Sequence, residues 1–308
     1  MCGIVGIVSN KSVSASIIRA LKKLEYRGYD SAGISTITNG EINEQKCSGR
    51  VDNLEKILFQ NPSSGDLGIG HVRWATHGIP NQVNAHPHSS EVVSVVHNGI
   101  IENSDKLRKE YEQKGYSFKS QTDTEVITAM LTDFLKKEDL INCIHKTLEK
   151  LEGSFALGVI FKNFNNLVVG ARRGSPLAVG FGHDENFIGS DSYALKSMTN
   201  KISYLDDGDF CILYKEKVEF YNSDKKKINK EIFELSSEDN IADKGDYKDF
   251  MSKEINEQST TTKKCINEYL DKSRNEINIF NLPINPKKIK KIRLIGCGTA
   301  YHSCLMAK

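Results

Sequence analysis

No apolar run in this sequence approaches the ~20 residues that a bilayer-spanning helix requires. Nor does the N-terminus read as a secretion signal: "MCGIVGIVSNK" is too short and turns polar at once. The expected compartment is therefore the cytoplasm. There is no marked charge excess: 42 basic residues face 40 acidic ones, for a formal net charge of +2. A surface that reads nucleic-acid phosphates needs a clear basic surplus, so nucleic acid is excluded as the main partner. The one basic run, "DKKKINK" at 224–230, reads as a solvated loop. Paired cysteine motifs are missing too. The seven cysteines, at 2, 47, 143, 211, 265, 297 and 304, include no CxxC pair, which removes zinc ribbons and thioredoxin-like sites. In a reducing compartment most are expected to be free thiols. Repeats and low-complexity tracts are absent, and tryptophan occurs once, at Trp74.

What is present is a chain of 308 residues, long enough for two domains and for a core without disulfide support. "GIVGIV" (3–8) reads as a buried strand. Ile17, Ile18, Leu21 and Leu24 have helical spacing, and Asn39-Gly40 marks a hairpin. Segment 51–59 reads as a short helix, and 67–75 and 91–99 as strands that run into loops. A long helix is expected from Asp123 to Lys137 and a second over 139–150. A series of strands follows up to Tyr221. Strands outnumber helices, and the helices come in pairs between runs of strands. That pattern predicts an α+β fold, two packed sheets with helices outside. "SSEDNIADKG" (236–245) is polar and turn-forming, a linker. Residues 248–271 are expected to be helical. "KKIRLIGCGTAYHSCLMAK" reads as a strand, a glycine turn and the opening of a helix. One such unit cannot bury its own faces, so the last domain is expected to be incomplete.

Four places could carry chemistry. Cys2 follows the initiator methionine. Trimming of Met1 would give one residue both a thiol and an α-amine of pKa about 7.7–8.0, a nucleophile with its own base; the alternative is a buried structural cysteine. "GHVRWATHGIPNQVNAHPH" (70–88) concentrates Arg73, Trp74, Thr76 and His77 where a strand gives way to a loop. Arg73 offers a two-pronged donor for a carboxylate. His71, His77, His86 and His88 lack acidic co-ligands and a helical HxxxH spacing, so no metal is expected. Asn98-Gly99 is either a tight turn or an oxyanion hole built from a side-chain amide and a backbone N–H. Asp123 is either a helix N-cap or the partner of a substrate ammonium. Together these groups suit a small amino acid with a reactive side-chain carbonyl, and glutamine is the natural candidate.

"MCGIVGI", "LEYRGYDSAG" (24–33), "HVRWATHG" (71–78), "NAHPH" (84–88), "HNGIIEN" (97–103) and "TDTE" (122–125) resemble, in order, the class II glutamine amidotransferases with an N-terminal nucleophile fold. The wording is closest to members that aminate fructose 6-phosphate. "DKGDYKDFMSKEINEQ" (243–258) and "GCGTAYHS" (296–303) resemble the junction and the start of their sugar-phosphate isomerase domain. The resemblance implies a four-layer αββα sandwich. It implies a glutaminase domain over 2–235, a linker over 236–247 and a truncated isomerase domain over 248–308. L-Glutamine is the implied substrate, with no cofactor. Fructose 6-phosphate enters only if the missing isomerase half is supplied, and a homodimer is allowed.

Residue by residue, Cys2 would form a glutamyl thioester, and Asn98 and Gly99 would hold the oxyanion. Arg73 would bind the α-carboxylate and Asp123 the α-ammonium. Thr76 and His77 would line the pocket, Trp74 would gate ammonia, and Arg27 and Asp30 would brace the site. Thr299, at a helix start, could contribute to a phosphate cradle. Two other readings stay open: an inactive remnant or regulatory fragment, and an amidotransferase serving a different acceptor.

Overall fold

The computed structural model describes residues 2–235, 246–271, 276–277, 285–296 and 299–308. It divides into two compact units, Met1–Ile241 and Ala242–Lys308. In chain order the first contains β1 (Gly3–Val8), α1 (Ser14–Leu24), β2 (Ser31–Thr38), β3 (Glu41–Ser48), α2 (Val51–Gln60), β4 (Leu67–Arg73), β5 (His88–Ser89) and β6 (Val93–Ile101). Then come α3 (Ser104–Gln113), α4 (Glu125–Phe134), α5 (Leu140–Lys150), β7 (Gly153–Phe161), β8 (Phe164–Arg173), β9 (Ala178–Phe181) and β10 (Asn186–Gly189). The unit closes with α6 (Ser192–Leu195), β11 (Lys201–Tyr204), β12 (Phe210–Leu213), β13 (Val218–Tyr221), β14 (Lys227–Ile228) and β15 (Phe233–Glu234).

Two antiparallel sheets result, with strand orders β15-β11-β9-β10-β1-β4-β2-β3 and β14-β13-β12-β8-β7-β6-β5. Three apolar clusters separate four layers. Val5, Ile7, Ile17, Leu21, Leu24 and Leu54 join the first sheet to α1 and α2. Val93, Val95, Leu107, Val126, Met130 and Ile144 join the second sheet to α3, α4 and α5. Ile4, Val8, Ile69, Val96, Ala156 and Ile188 fill the space between the sheets. This is the αββα sandwich expected from the sequence. Because both faces of each sheet are covered, a central strand such as β1 reads as a continuous apolar run. Its residues alternate all the same: Val5 and Ile7 face helices, Ile4 and Val8 face the other sheet.

The expected hairpin forms, with Thr38 opposite Glu41. The helix expected from Asp123 begins later, at Glu125, and ends at Phe134. The strand expected over 67–75 stops at Arg73. α3, whose charged sequence carries only a thin apolar stripe of Leu107 and Tyr111, is an element the sequence pattern did not predict.

In the second unit α7 (Phe250–Tyr269) agrees with the expected helix. A short hairpin, β16 (Leu270–Asp271) with β17 (Glu276–Ile277), follows, and α8 (Thr299–Met306) ends the chain. The strand expected before the glycine turn does not form: residues 289–296 lack regular structure, and Ile292, Leu294 and Ile295 are exposed. A strand needs a partner for its N–H and C=O groups, and none of the described strands pairs with this segment. The expected linker lies almost wholly outside the described residues. No helix among the described residues is long and apolar enough to cross a membrane.

Candidate active site

Cys2 leads directly into the rigid central strand β1, whose neighbour β4 runs antiparallel with Gly3 opposite Val72. The register brings the end of β4 beside Cys2. The Trp74 N–H donates to Cys2 Sγ at 3.4 Å, and Sγ lies 3.5 Å from the Trp74 carbonyl. Burial pushes the thiol up from its ordinary value, and the Trp74 backbone contact opposes that rise. Arg27 Nε donates to the Cys2 carbonyl at 2.9 Å. On its far side Arg27 pairs with Asp191 at 3.2 Å, which also accepts from Tyr26 Oη at 2.7 Å. Asp30 accepts from the Ala75 N–H through one oxygen and from Ser31 Oγ through the other. Gly28 lies against the main chain of Arg73 and Trp74, where a Cβ would sit 2.5 Å from the Arg73 carbonyl carbon. The "YRGYDS" segment therefore cradles the β4–loop junction with backbone, side chains and shape together.

Arg73 is buried, and its guanidinium donates to the carbonyls of His77, Gly78 and Ile79. Asn84 and Gln121 fasten the same loop. Asn84 Nδ2 donates to the Ile79 carbonyl at 3.0 Å and to Gln121 Oε1 at 3.1 Å. Trp74 is half-exposed, edge-on to Tyr29 at 5.8 Å. Thr76 and His77 are exposed neighbours on the loop.

Asn98 and Gly99 are not a turn. They lie inside β6, opposite Ala156 and Phe155. Gly99 has φ of 141°, and a Cβ there would lie 2.0 Å from the Ser154 carbonyl oxygen. Only glycine fits that backbone. Asn98 shares the alternation of Val96, so its side chain is on the face toward the first sheet.

Asp123 does not cap α4; Thr124 occupies that position. The Asp123 carboxylate instead accepts the Ile101 N–H at 2.7 Å, and its other oxygen lies 3.9 Å from His97 Nδ1. Behind it four buried histidines cluster. His71 stacks on His86 at 4.3 Å, and His86 meets His88 edge-on at 4.6 Å. His71 Nε2 meets the His97 carbonyl at 2.9 Å. Burial lowers all four, His71 to about 3 and His86 and His88 well below the ordinary value, while for His97 the Asp123 carboxylate opposes the shift. Among the described residues no group of three or more histidines, cysteines or carboxylates is arranged to hold a metal ion.

One small cleft joins these parts. Cys2, Arg73, Trp74, Thr76, His77, Gly99 and Asp123 all line it, together with His86, His97, Thr122 and Thr124. The free volume is about 20 Å³, room for about one water molecule. Arg27 and Asp30 brace its wall from behind. Asn98 is buried on β6 but is not among the lining side chains. Thr299 opens α8 in the other unit, and its side chain lies outside the described residues. Sequence reasoning missed His97, Thr122 and Thr124, although all three stand inside the quoted motifs "HNGIIEN" and "TDTE". Asp191 carried no signal at all.

Residues 71–197 match the model of a glutamine amidotransferase domain. The glutamine–fructose-6-phosphate aminotransferase (isomerizing) of Mesorhizobium japonicum is 46% identical over 309 aligned residues, covering 100% of this chain and 51% of its own. The protein of the same name from Clostridium acetobutylicum is 45% identical, with the same coverage. This chain thus spans about half the length of these relatives. Among solved structures, the glutamine phosphoribosylpyrophosphate amidotransferase of B. subtilis superposes with a TM-score of 0.59 at 26% identity, covering 72% of this chain and 49% of that one. A class-II glutamine aminotransferase domain protein of Silicibacter pomeroyi shares the fold, with a TM-score of 0.53 at 13% identity, covering 72% and 99%. Residues 71–197 thus match a glutamine amidotransferase domain, and the similarity to these aminotransferases runs along the whole of this chain.

Proposed function

We propose that this chain hydrolyses glutamine to glutamate and ammonia, with residues 2–235 as the glutaminase domain and 248–308 as the start of a sugar-phosphate isomerase domain. The observation that carries the reading is the convergence of Cys2, Arg73, Gly99 and Asp123 on one cleft from four separate segments of the chain.

Cys2 Sγ attacks the side-chain amide carbon of glutamine. Because burial keeps the resting thiol protonated, attack needs a base, and the Cys2 α-amine freed by removal of Met1 takes the proton through a water. The Gly99 N–H and the Asn98 side-chain amide receive the negative oxygen of the tetrahedral intermediate. On collapse the C–N bond breaks, the α-ammonium returns the proton to the leaving nitrogen, and ammonia departs past Trp74. Water then cleaves the thioester by the same route.

Arg73 takes the substrate α-carboxylate and Asp123 its α-ammonium. The guanidinium now faces the carbonyls of His77 to Ile79, and the cleft holds about one water. Glutamine entry therefore requires that loop to open, the carboxylate replacing the carbonyls. Thr76 and His77 ride on it. The relatives' names specify fructose 6-phosphate, which is the proposed ammonia acceptor once the rest of an isomerase domain is present.

The test is glutamine hydrolysis by the purified chain against its Cys2→Ala variant, with intact mass recorded for both. Loss of hydrolysis in the variant, in protein lacking Met1, is the expected result. Persistent hydrolysis sinks the Cys2 mechanism, and full activity in protein that retains Met1 sinks the α-amine step.

A further inference from the structure

The hydroxyl of Thr124 sits between two buried imidazoles. It lies 2.9 Å from His97 Nδ1 and 2.8 Å from His86 Nε2. Thr124 is the N-cap residue of α4, yet its side chain makes no capping bond, so the hydroxyl serves these rings and not the helix. A threonine hydroxyl has one proton to give. With two ring nitrogens in range, at least one imidazole must donate to it.

The surroundings choose which. His97 Nδ1 also faces the Asp123 carboxylate at 3.9 Å, so the positive end of an Nδ1–H bond is favoured there. The proton then sits on Nδ1, and His97 Nε2 is a bare lone pair. That agrees with its being buried without a hydrogen-bond partner, since an orphaned acceptor costs less than an orphaned donor. His71 follows the same rule. Its Nε2 donates to the His97 carbonyl and its Nδ1 is unpartnered, and His86 likewise donates through Nε2 to the Thr124 hydroxyl oxygen and leaves its buried Nδ1 without a partner, so that this oxygen accepts from both rings. The ring of His97 is thus held from two sides, by Thr124 at its edge and by His71 at its backbone.

We propose that Thr124, with His86 behind it, is a positioning residue that locks His97 as a neutral Nδ1–H donor beside Asp123, so that Asp123 keeps its negative charge for the ammonium of an amino-acid substrate. An imidazolium in that place would form an internal ion pair with Asp123 and compete with the incoming ammonium. A ring free to turn would present a lone pair to the carboxylate and repel it. The desolvation that keeps His97 neutral acts in the same direction.

This inference rests on the proposed role of Asp123, and its test is independent of catalysis. Binding is measured by calorimetry in the Cys2→Ala background, for glutamine and for 4-carbamoylbutanoate, which is glutamine without its α-amine. Thr124→Val is expected to weaken glutamine about tenfold or more, the scale of a lost hydrogen bond next to a charge. The des-amino compound should bind Thr124→Val and Thr124 protein within about twofold of each other, and Thr124→Ser should restore glutamine binding. Equal weakening of both ligands, no weakening of either, or failure of serine to rescue would overturn the proposal. A Cys2→Ala protein that still hydrolyses glutamine would overturn the catalytic reading alone, because the Thr124 proposal concerns the difference in affinity between the two ligands and not the chemical step.

Discussion

Arg27 Nε holds the Cys2 carbonyl at 2.9 Å while Asp191, far away in sequence, holds Arg27 at 3.2 Å. The main chain of the nucleophile is thereby tied to the end of β10 across the first sheet. The tie predicts a split in kinetic behaviour. Arg27→Met should lower kcat for glutamine hydrolysis by about 10²-fold, the scale of a displacement near 1 Å at the reacting atom, and leave KM within about threefold. Asp191→Asn should lower kcat less, because Arg27 Nε keeps its carbonyl. An Arg27→Met enzyme with raised KM and unchanged kcat would contradict this.

Gly99→Ala tests the backbone of β6. The new Cβ would meet the Ser154 carbonyl at 2.0 Å, at a φ of 141° that alanine resists. Destabilisation by about 3 kcal/mol is expected, read from urea unfolding with the m-value unchanged. A loss below about 0.5 kcal/mol would show that the β6–β7 pairing yields easily.

The histidine cluster makes stability depend on pH. His71, His86, His88 and His97 are all lowered in the folded chain, by burial first. Below the ordinary value of 6.5 the unfolded chain binds protons that the folded chain refuses, so the unfolded state gains. Stability should be full above pH 6.5 and fall as the pH drops toward 4, by about 1.4 kcal/mol per pH unit for each histidine held neutral. Unfolding free energies at pH 7.5, 6 and 5 check this. A flat profile over that range would rule out the neutral cluster.

Thiol labelling should separate recognition from exposure. Cys143 and Cys211 are buried and pushed up to about 12, so they should resist alkylation in the folded chain. Cys265 is exposed and Cys2 only partly so. A glutamine-like electrophile should nonetheless label Cys2 alone, whereas small neutral iodoacetamide should also reach Cys265. Peptide mapping after each reagent decides. Preferential labelling of Cys265 by the glutamine analogue would argue against a formed substrate site.

Arg73→Lys should raise KM about tenfold or more with a smaller change in kcat. A lysine offers one point charge where the guanidinium offers a planar pair of donors, and it would also lose its hold on the carbonyls of His77 to Ile79. Steady-state kinetics at saturating glutamine separates the two parameters.

The sequence carried the layers well because hydrophobic spacing is a local signal. Ile17, Leu21 and Leu24 on α1 and Val126, Ile127 and Met130 on α4 are buried as their periodicity requires. Of the candidate site it marked, through short motifs, most of the residues that line one cleft. It left alternatives open, or misled, where the deciding partner is distant in sequence. Asn98-Gly99 looks like a turn until β7 is seen to pair with it. Asp123 looks like a cap until the Ile101 N–H claims its carboxylate. Residues 289–296 look like a strand, but a strand is a relation between two segments, and the apolar spacing of one says nothing about its partner.

The partner of the Cys2 thiol is a peptide group, not a side chain. Since the Trp74 N–H and carbonyl make the contact, no exchange of the indole short of proline removes it, and a scan of the other residues at position 74 would report on what the ring does. The thiol is sheltered from variation at its nearest neighbour. The position through which that shelter can be breached is Gly28, 46 residues earlier in the numbering, where a single added methyl would press on the Arg73–Trp74 peptide.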